Sequence, residues 1–148
     1  MVFFVAAAVF LYHPAGGRLI LSDDKTGREF LQVPLDRDEE FSITFVHSVN
    51  NTPVTDVYGV SEAGKIYLKR TVYYDFGACV PFDLNEGESL SYTEDGAMVI
   101  SGIDREISGF VLFVGTVSDH TLSIGGRSLS LRELCGRNTR LRIRCRIP

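Results

Sequence analysis

Phe41-Ser42-Ile43-Thr44-Phe45-Val46-His47-Ser48-Val49-Asn50-Asn51-Thr52-Pro53-Val54-Thr55-Asp56-Val57-Tyr58-Gly59-Val60 decides the fold class. Apolar and polar residues alternate on either side of Asn50-Asn51, the period-two signature of strands joined by a turn. Successive strand side chains point to opposite faces, so Phe41, Ile43, Phe45 and His47 share one side. On the return strand Val54, Asp56, Tyr58 and Val60 form the more apolar set. If both sets face a core, His47 and Asp56 stand opposite or diagonal, roughly 5–8 Å apart at Cβ. Burying ionisable groups costs free energy unless they find partners, so this pairing demands an explanation.

The same alternation recurs along the rest of the chain. It predicts strands over Arg18–Ser22, Glu29–Val33, Lys65–Tyr74, Ser89–Tyr92, Ala97–Ile103, Thr121–Ile124 and Leu141–Ile147. Turn residues separate them: Lys25-Thr26-Gly27, Glu62-Ala63-Gly64, Asn85-Glu86-Gly87, Asp95-Gly96 and Gly125-Gly126. Phe110–Val117 is apolar almost throughout and reads as a central strand covered on both faces. A single helical turn is expected at Ser130–Leu134, stopped by Gly136. The fold class is therefore all-β, an antiparallel β-sandwich or a partly open barrel.

Parity extends the polar cluster. Pairing Val60 with Ile66 sets Tyr58 opposite Leu68 and Asp56 opposite Arg70. His120 shares a parity with Leu122 and Ile124. His47, Asp56, Arg70 and His120 thus interrupt otherwise apolar faces, and three chemistries suit them. One is a satisfied polar network fixing register, with Arg70 and Asp56 as an ion pair. Another is a ligand site in which Arg70 and the histidines receive a carboxylate or phosphate. The last is a zinc-type site from His47, Asp56 and His120, the basis of an alternative reading as a metal-dependent hydrolase. Arg70 would repel such a cation, so no metal and no cofactor is expected.

Catalytic signatures are missing. Ser48 follows His47 directly, so the two point to opposite faces and cannot pair as nucleophile and base in a regular strand. No Gly-x-Ser-x-Gly, His-Glu-x-x-His or Walker-type loop occurs. The residues point away from an enzyme.

With 148 residues, 45% hydrophobic and 23% charged, the chain can bury a sizeable core. Its net charge of −4 is unevenly spread, because Arg127 to Arg146 holds seven arginines against one acid, Glu133. Arg140, Arg142, Arg144 and Arg146 alternate with Leu141, Ile143, Cys145 and Ile147. That pattern suits an edge strand protected by charge, or contact with anionic lipid or an acidic partner. Nucleic-acid binding is disfavoured by the acidic remainder. Val2–Tyr12 is an unbroken apolar run, roughly 16 Å long as a helix, about half a bilayer core. Residues 1–17 are accordingly read as an apolar signal or membrane-anchor segment, and 18–148 as one β domain. Of Cys79, Cys135 and Cys145, the latter two could cross-link if the domain is exported, and three free thiols fit equally.

Phe76-Gly77-Ala78-Cys79-Val80-Pro81 suits a tight loop beside the cluster. Taken together, His47-Ser48-Val49, Thr52-Pro53-Val54 with Asp56, Phe76-Gly77-Ala78 with Pro81, and His120 before Gly125-Gly126 resemble the bacterial family called domain of unknown function 1850. The resemblance covers most of the chain after Arg18. It implies Ser48, Pro53, Gly77 and Pro81 as motif positions and a small protein that starts with a membrane-spanning or signal segment. It further implies genetic neighbourhood with TRAP transporters of the TAXI type. A non-catalytic, extracytoplasmic accessory role in solute uptake follows as the expectation, with the transporter, its solute-binding protein or a small anionic solute as partner.

Overall fold

A computed structural model describes residues 16–47, 51–74 and 83–148. In chain order the elements are β1 (Gly17–Asp23), β2 (Glu29–Leu35), β3 (Phe41–Val46), β4 (Pro53–Val60), β5 (Ile66–Tyr73) and β6 (Ser89–Tyr92). There follow β7 (Met98–Glu106), β8 (Val111–Phe113), β9 (His120–Ile124), β10 (Arg127–Ser130), α1 (Leu131–Cys135) and β11 (Arg140–Arg146). Two antiparallel sheets form, one ordered β2-β1-β11-β8 and the other β10-β9-β3-β4-β5-β7-β6. They pack as a sandwich, not a closed barrel, which is the first of the two expected architectures.

The alternation dictates the core. Leu19, Leu21, Leu122, Leu131, Leu141 and Val114 are fully buried between the sheets, and Phe41 nearly so. Each buried leucine contributes roughly 1.5–3 kcal/mol relative to exposure. Tyr58 stacks on Phe41 at 5.2 Å between ring centroids and meets Phe110 at 4.9 Å, tying β3, β4 and the chain before β8 together.

Gly125 and Gly126 take φ of +57° and +70°, the two positive values a tight two-residue hairpin requires, and so join β9 to β10. β10 has only one apolar residue, Leu129, which is why its sequence carries no strand signal. The expected helical turn forms as α1: the Ser130 hydroxyl accepts from Glu133 N at 3.0 Å and Gly136 ends it at φ +89°.

Two expectations are corrected. Phe110–Val117 is not a central strand, because only Val111–Phe113 pairs, with β11 alone, at the edge of the four-stranded sheet. Phe110 and Val114 enter the core, while Phe113 and Val117 face solvent. Conversely, β11 is no edge strand, because it lies between β1 and β8. Its arginines are held by acids: Arg140 and Arg142 both bind Asp24, the former at 2.8 Å, and Arg144 binds Glu29 at 3.0 Å. Ile20, on this arginine face opposite Arg144, is fully buried.

The ladder between β4 and β5 carries the feature that rearranges the polar groups. Val60 pairs with Ile66 and Tyr58 with Leu68, as parity predicts. A bulge then inserts Lys69, so Val57 pairs with Arg70 and Asp56 with Thr71. One extra residue exchanges the faces of everything beyond it. The irregularity continues into β7, where Leu68 faces Arg105 but Arg70 faces Ser101. Lys69 forms an ion pair with Asp104 across it. Gly102 there has φ +77°, and a Cβ would collide with the Gly87 carbonyl oxygen.

Candidate functional site

The bulge separates Asp56 from Arg70. Arg70 turns to the other face and makes a bidentate pair with Glu40, Nη1–Oε1 at 2.9 Å and Nη2–Oε2 at 2.6 Å. Asp56 is left without the expected guanidinium. Its Oδ1 accepts from the Thr71 hydroxyl at 2.7 Å and its Oδ2 from the Tyr58 hydroxyl at 3.4 Å. Burial pushes the Asp56 carboxyl above its ordinary range, against the opposing pull of those hydrogen bonds and of Arg105. Tyr58 moves the same way, through burial and then the neighbouring carboxylate.

His47 does not reach Asp56 either. Asp56 stands opposite Ile43, and His47 lies four positions further along, hydrogen-bonded through its N–H to Thr52 O at 2.9 Å. At the rise of a strand that offset is roughly 13 Å. His120 stands opposite Phe45, with ring centroids 5.6 Å apart, one strand beyond β3 from Asp56. His47, Asp56 and His120 therefore share no centre, and no group of three or more metal-ligating side chains occurs among the described residues. The metal-dependent hydrolase has no support in this arrangement. Pro53 opens β4, whereas Ser48, Gly77, Pro81 and Cys79 lie outside the described residues. Cys135 and Cys145 are free thiols and form no cross-link.

The structure gathers a different polar group where β9 meets α1. Asp119 Oδ1 accepts from the backbone N–H of His120 at 2.7 Å and of Arg132 at 3.1 Å. Asp119 Oδ2 accepts from the Ser130 hydroxyl, the same group that caps α1. Burial raises the Asp119 carboxyl, but these hydrogen bonds and Arg132 outweigh it and hold the group below its usual range. His120 is driven down, first by burial and then by Arg132, with Asp119 pulling the other way.

Three shielded atoms in this group have no hydrogen-bond partner: His120 Nδ1, Arg132 Nε and Arg132 Nη2. Leaving a buried donor unpaired costs about 1–3 kcal/mol, and more when it is charged. Nε and Nη2 form the lateral fork of the guanidinium, the edge that grips two oxygens at once. Sequence reasoning found His120 through parity but missed Arg132 and Asp119. The available signals were the adjacency of Asp119 to His120 and the Ser130-x-x-Glu133 spacing, which announces a helix start.

Comparison with known families gives a match between residues 41–131 and the family described as Domain of unknown function (DUF1850). The chain belongs to this family. No curated protein and no solved structure matches it. The DUF1850 segment holds every strand of the seven-stranded sheet together with β8, and closes at Leu131. His47, Asp56, Arg70, Asp119, His120 and Ser130 all fall inside it. The DUF1850 match leaves β1, β2 and β11 outside, the strands that cover the other side of the core. No helix among the described residues is long and apolar enough to cross a membrane.

Proposed function

We propose that this DUF1850 chain is a non-catalytic accessory module working outside the cytoplasm in solute uptake, beside a TRAP transporter of the TAXI type. One observation carries the non-catalytic part: the carboxylates in and beside the core are occupied by fixed partners. Asp56 is held by Thr71 and Tyr58, and Asp119 by Ser130 and two backbone N–H groups. Carboxylates tied in this way set register and shape. Such a module docks or binds, and its partner is the transporter, its solute-binding protein or a small anionic solute. The transporter setting is what the resemblance to the family implies, and the apolar run Val2–Tyr12 supports export or anchoring at the membrane. Nucleic acid is a poor partner, since Arg140, Arg142 and Arg144 already hold Asp24 and Glu29.

Co-purification from membranes with the neighbouring transporter, paired with solute uptake in a strain lacking this chain, tests the reading. Retention of the transporter and impaired uptake are expected. Normal uptake and no retained transporter subunit would overturn it.

A further inference from the structure

We propose that His120 and Arg132 form a binding site for the carboxylate of a small organic monoacid, at the junction of β9 and α1. The inference is independent of the transporter setting, because it rests on local geometry. Both residues are fixed by the same oxygen: Asp119 Oδ1 takes the backbone N–H of His120 at 2.7 Å and of Arg132 at 3.1 Å. The two residues are thereby neighbours, near enough for the Arg132 charge to act on the His120 ring, and each holds shielded nitrogens with no acceptor or donor opposite: Nδ1 of His120, Nε and Nη2 of Arg132. The usual internal counter-ion is already engaged, since Asp119 spends Oδ1 on those N–H groups and Oδ2 on Ser130. A side-on guanidinium edge matches the two oxygens of a carboxylate, and an imidazole nitrogen supplies a third contact.

Charge selects among anions. The Arg132 charge is balanced by ionised Asp119, so the steeper desolvation cost of a second negative charge is not repaid there, and a singly charged carboxylate is favoured over dianionic phosphate. The Phe45 ring, 5.6 Å from the His120 ring, gives the organic part of the ligand an apolar flank. Both His120 and Arg132 are half-buried, so the junction lies at the surface of the sandwich and not in its interior.

The test is side-chain NMR of the full chain labelled at arginine and histidine, titrated with sodium acetate and, separately, with inorganic phosphate. Acetate is expected to shift the Arg132 Nε–H and His120 ring signals saturably. Arg132→Lys, which keeps the charge and loses the fork, is expected to weaken acetate by about tenfold, the equivalent of one charge-assisted hydrogen bond. Arg132→Leu removes unpaired donors, so its melting temperature is expected to match or exceed that of the parent. Absence of a saturable acetate response overturns the site and leaves an ordered water as the occupant. Phosphate binding tighter than acetate overturns the carboxylate assignment, and a marked fall in the melting temperature of Arg132→Leu overturns the claim that the fork is idle in the fold. None of these results bears on co-purification with the transporter, so the two readings fail separately.

Discussion

Replacing Asp56 by asparagine should stabilise the protein near neutral pH. The carboxylate sits in the sheet face turned toward the other layer, held by Thr71 at 2.7 Å and Tyr58 at 3.4 Å, while Arg70 is committed to Glu40. An ionised group buried without a hydrogen-bonded cation loses roughly 1–3 kcal/mol of solvation. Asparagine keeps an oxygen for Thr71 and offers an N–H to the Tyr58 oxygen, so the Thr71 bond loses its charge-assisted part and the long Tyr58 bond reverses direction. The difference is a gain of about 1 kcal/mol, or about 3 °C in melting temperature for a chain of this size. The sign with pH follows from the direction of the shift. Folding raises the Asp56 carboxyl above its ordinary 3.8, so the native state favours the proton. Its contribution to stability is intact below 3.8 and is lost as pH rises through the folded-state value. The advantage of Asp56→Asn should therefore be full near neutrality and fade toward 3.8. Urea denaturation midpoints across that range measure it. A variant less stable than its parent at neutral pH, or an advantage that ignores pH, refutes the account of a carboxylate buried without a cation.

The same packing sets further expectations. In a double-mutant cycle, Asp56→Ala and Arg70→Ala should add to within about 0.5 kcal/mol, since the bulge keeps them apart; a larger coupling means that the ladder runs without Lys69. Gly102→Ala combines φ +77° with a collision against backbone, and should cost about 2 kcal/mol or more by chemical denaturation. Ser130→Ala removes both the cap of α1 and a partner of Asp119; a loss of about 1–2 kcal/mol is expected, and thermal unfolding of the variant measures it.

Strand positions were legible wherever one face meets the core, because burial writes a period of two into the residues, as in Phe41-Ser42-Ile43-Thr44-Phe45. β10 was not, since it is a solvated edge whose pairing depends on the Gly125-Gly126 hairpin and hardly on hydrophobicity. Phe110–Val117 misled for the opposite reason: apolar residues there serve core and solvent in turn, and only three of them pair. The site suffered from a single residue. Parity carried from Val60 and Ile66 holds as far as Leu68 and then misplaces Arg70, because the bulge at Lys69 leaves no trace in local alternation. Arg132 was the hardest residue to read as part of a site, because its relation to His120 exists only once β9 and α1 converge on Asp119.

The position of β11 has a kinetic consequence. Its ladder with β1 sets Arg18 beside Arg146, residues near opposite ends of the described chain, whereas β3, β4 and β5 are joined by short connections. Closing so long a loop costs entropy before any contact repays it, so the hairpins of the larger sheet should form early and the smaller sheet should assemble last. Pulsed hydrogen exchange during refolding should find amides of β3–β5 protected ahead of those in β1 and β11. Until that final docking, Leu19, Leu21 and Leu141 stand open to water, and the half-built molecule is at its stickiest.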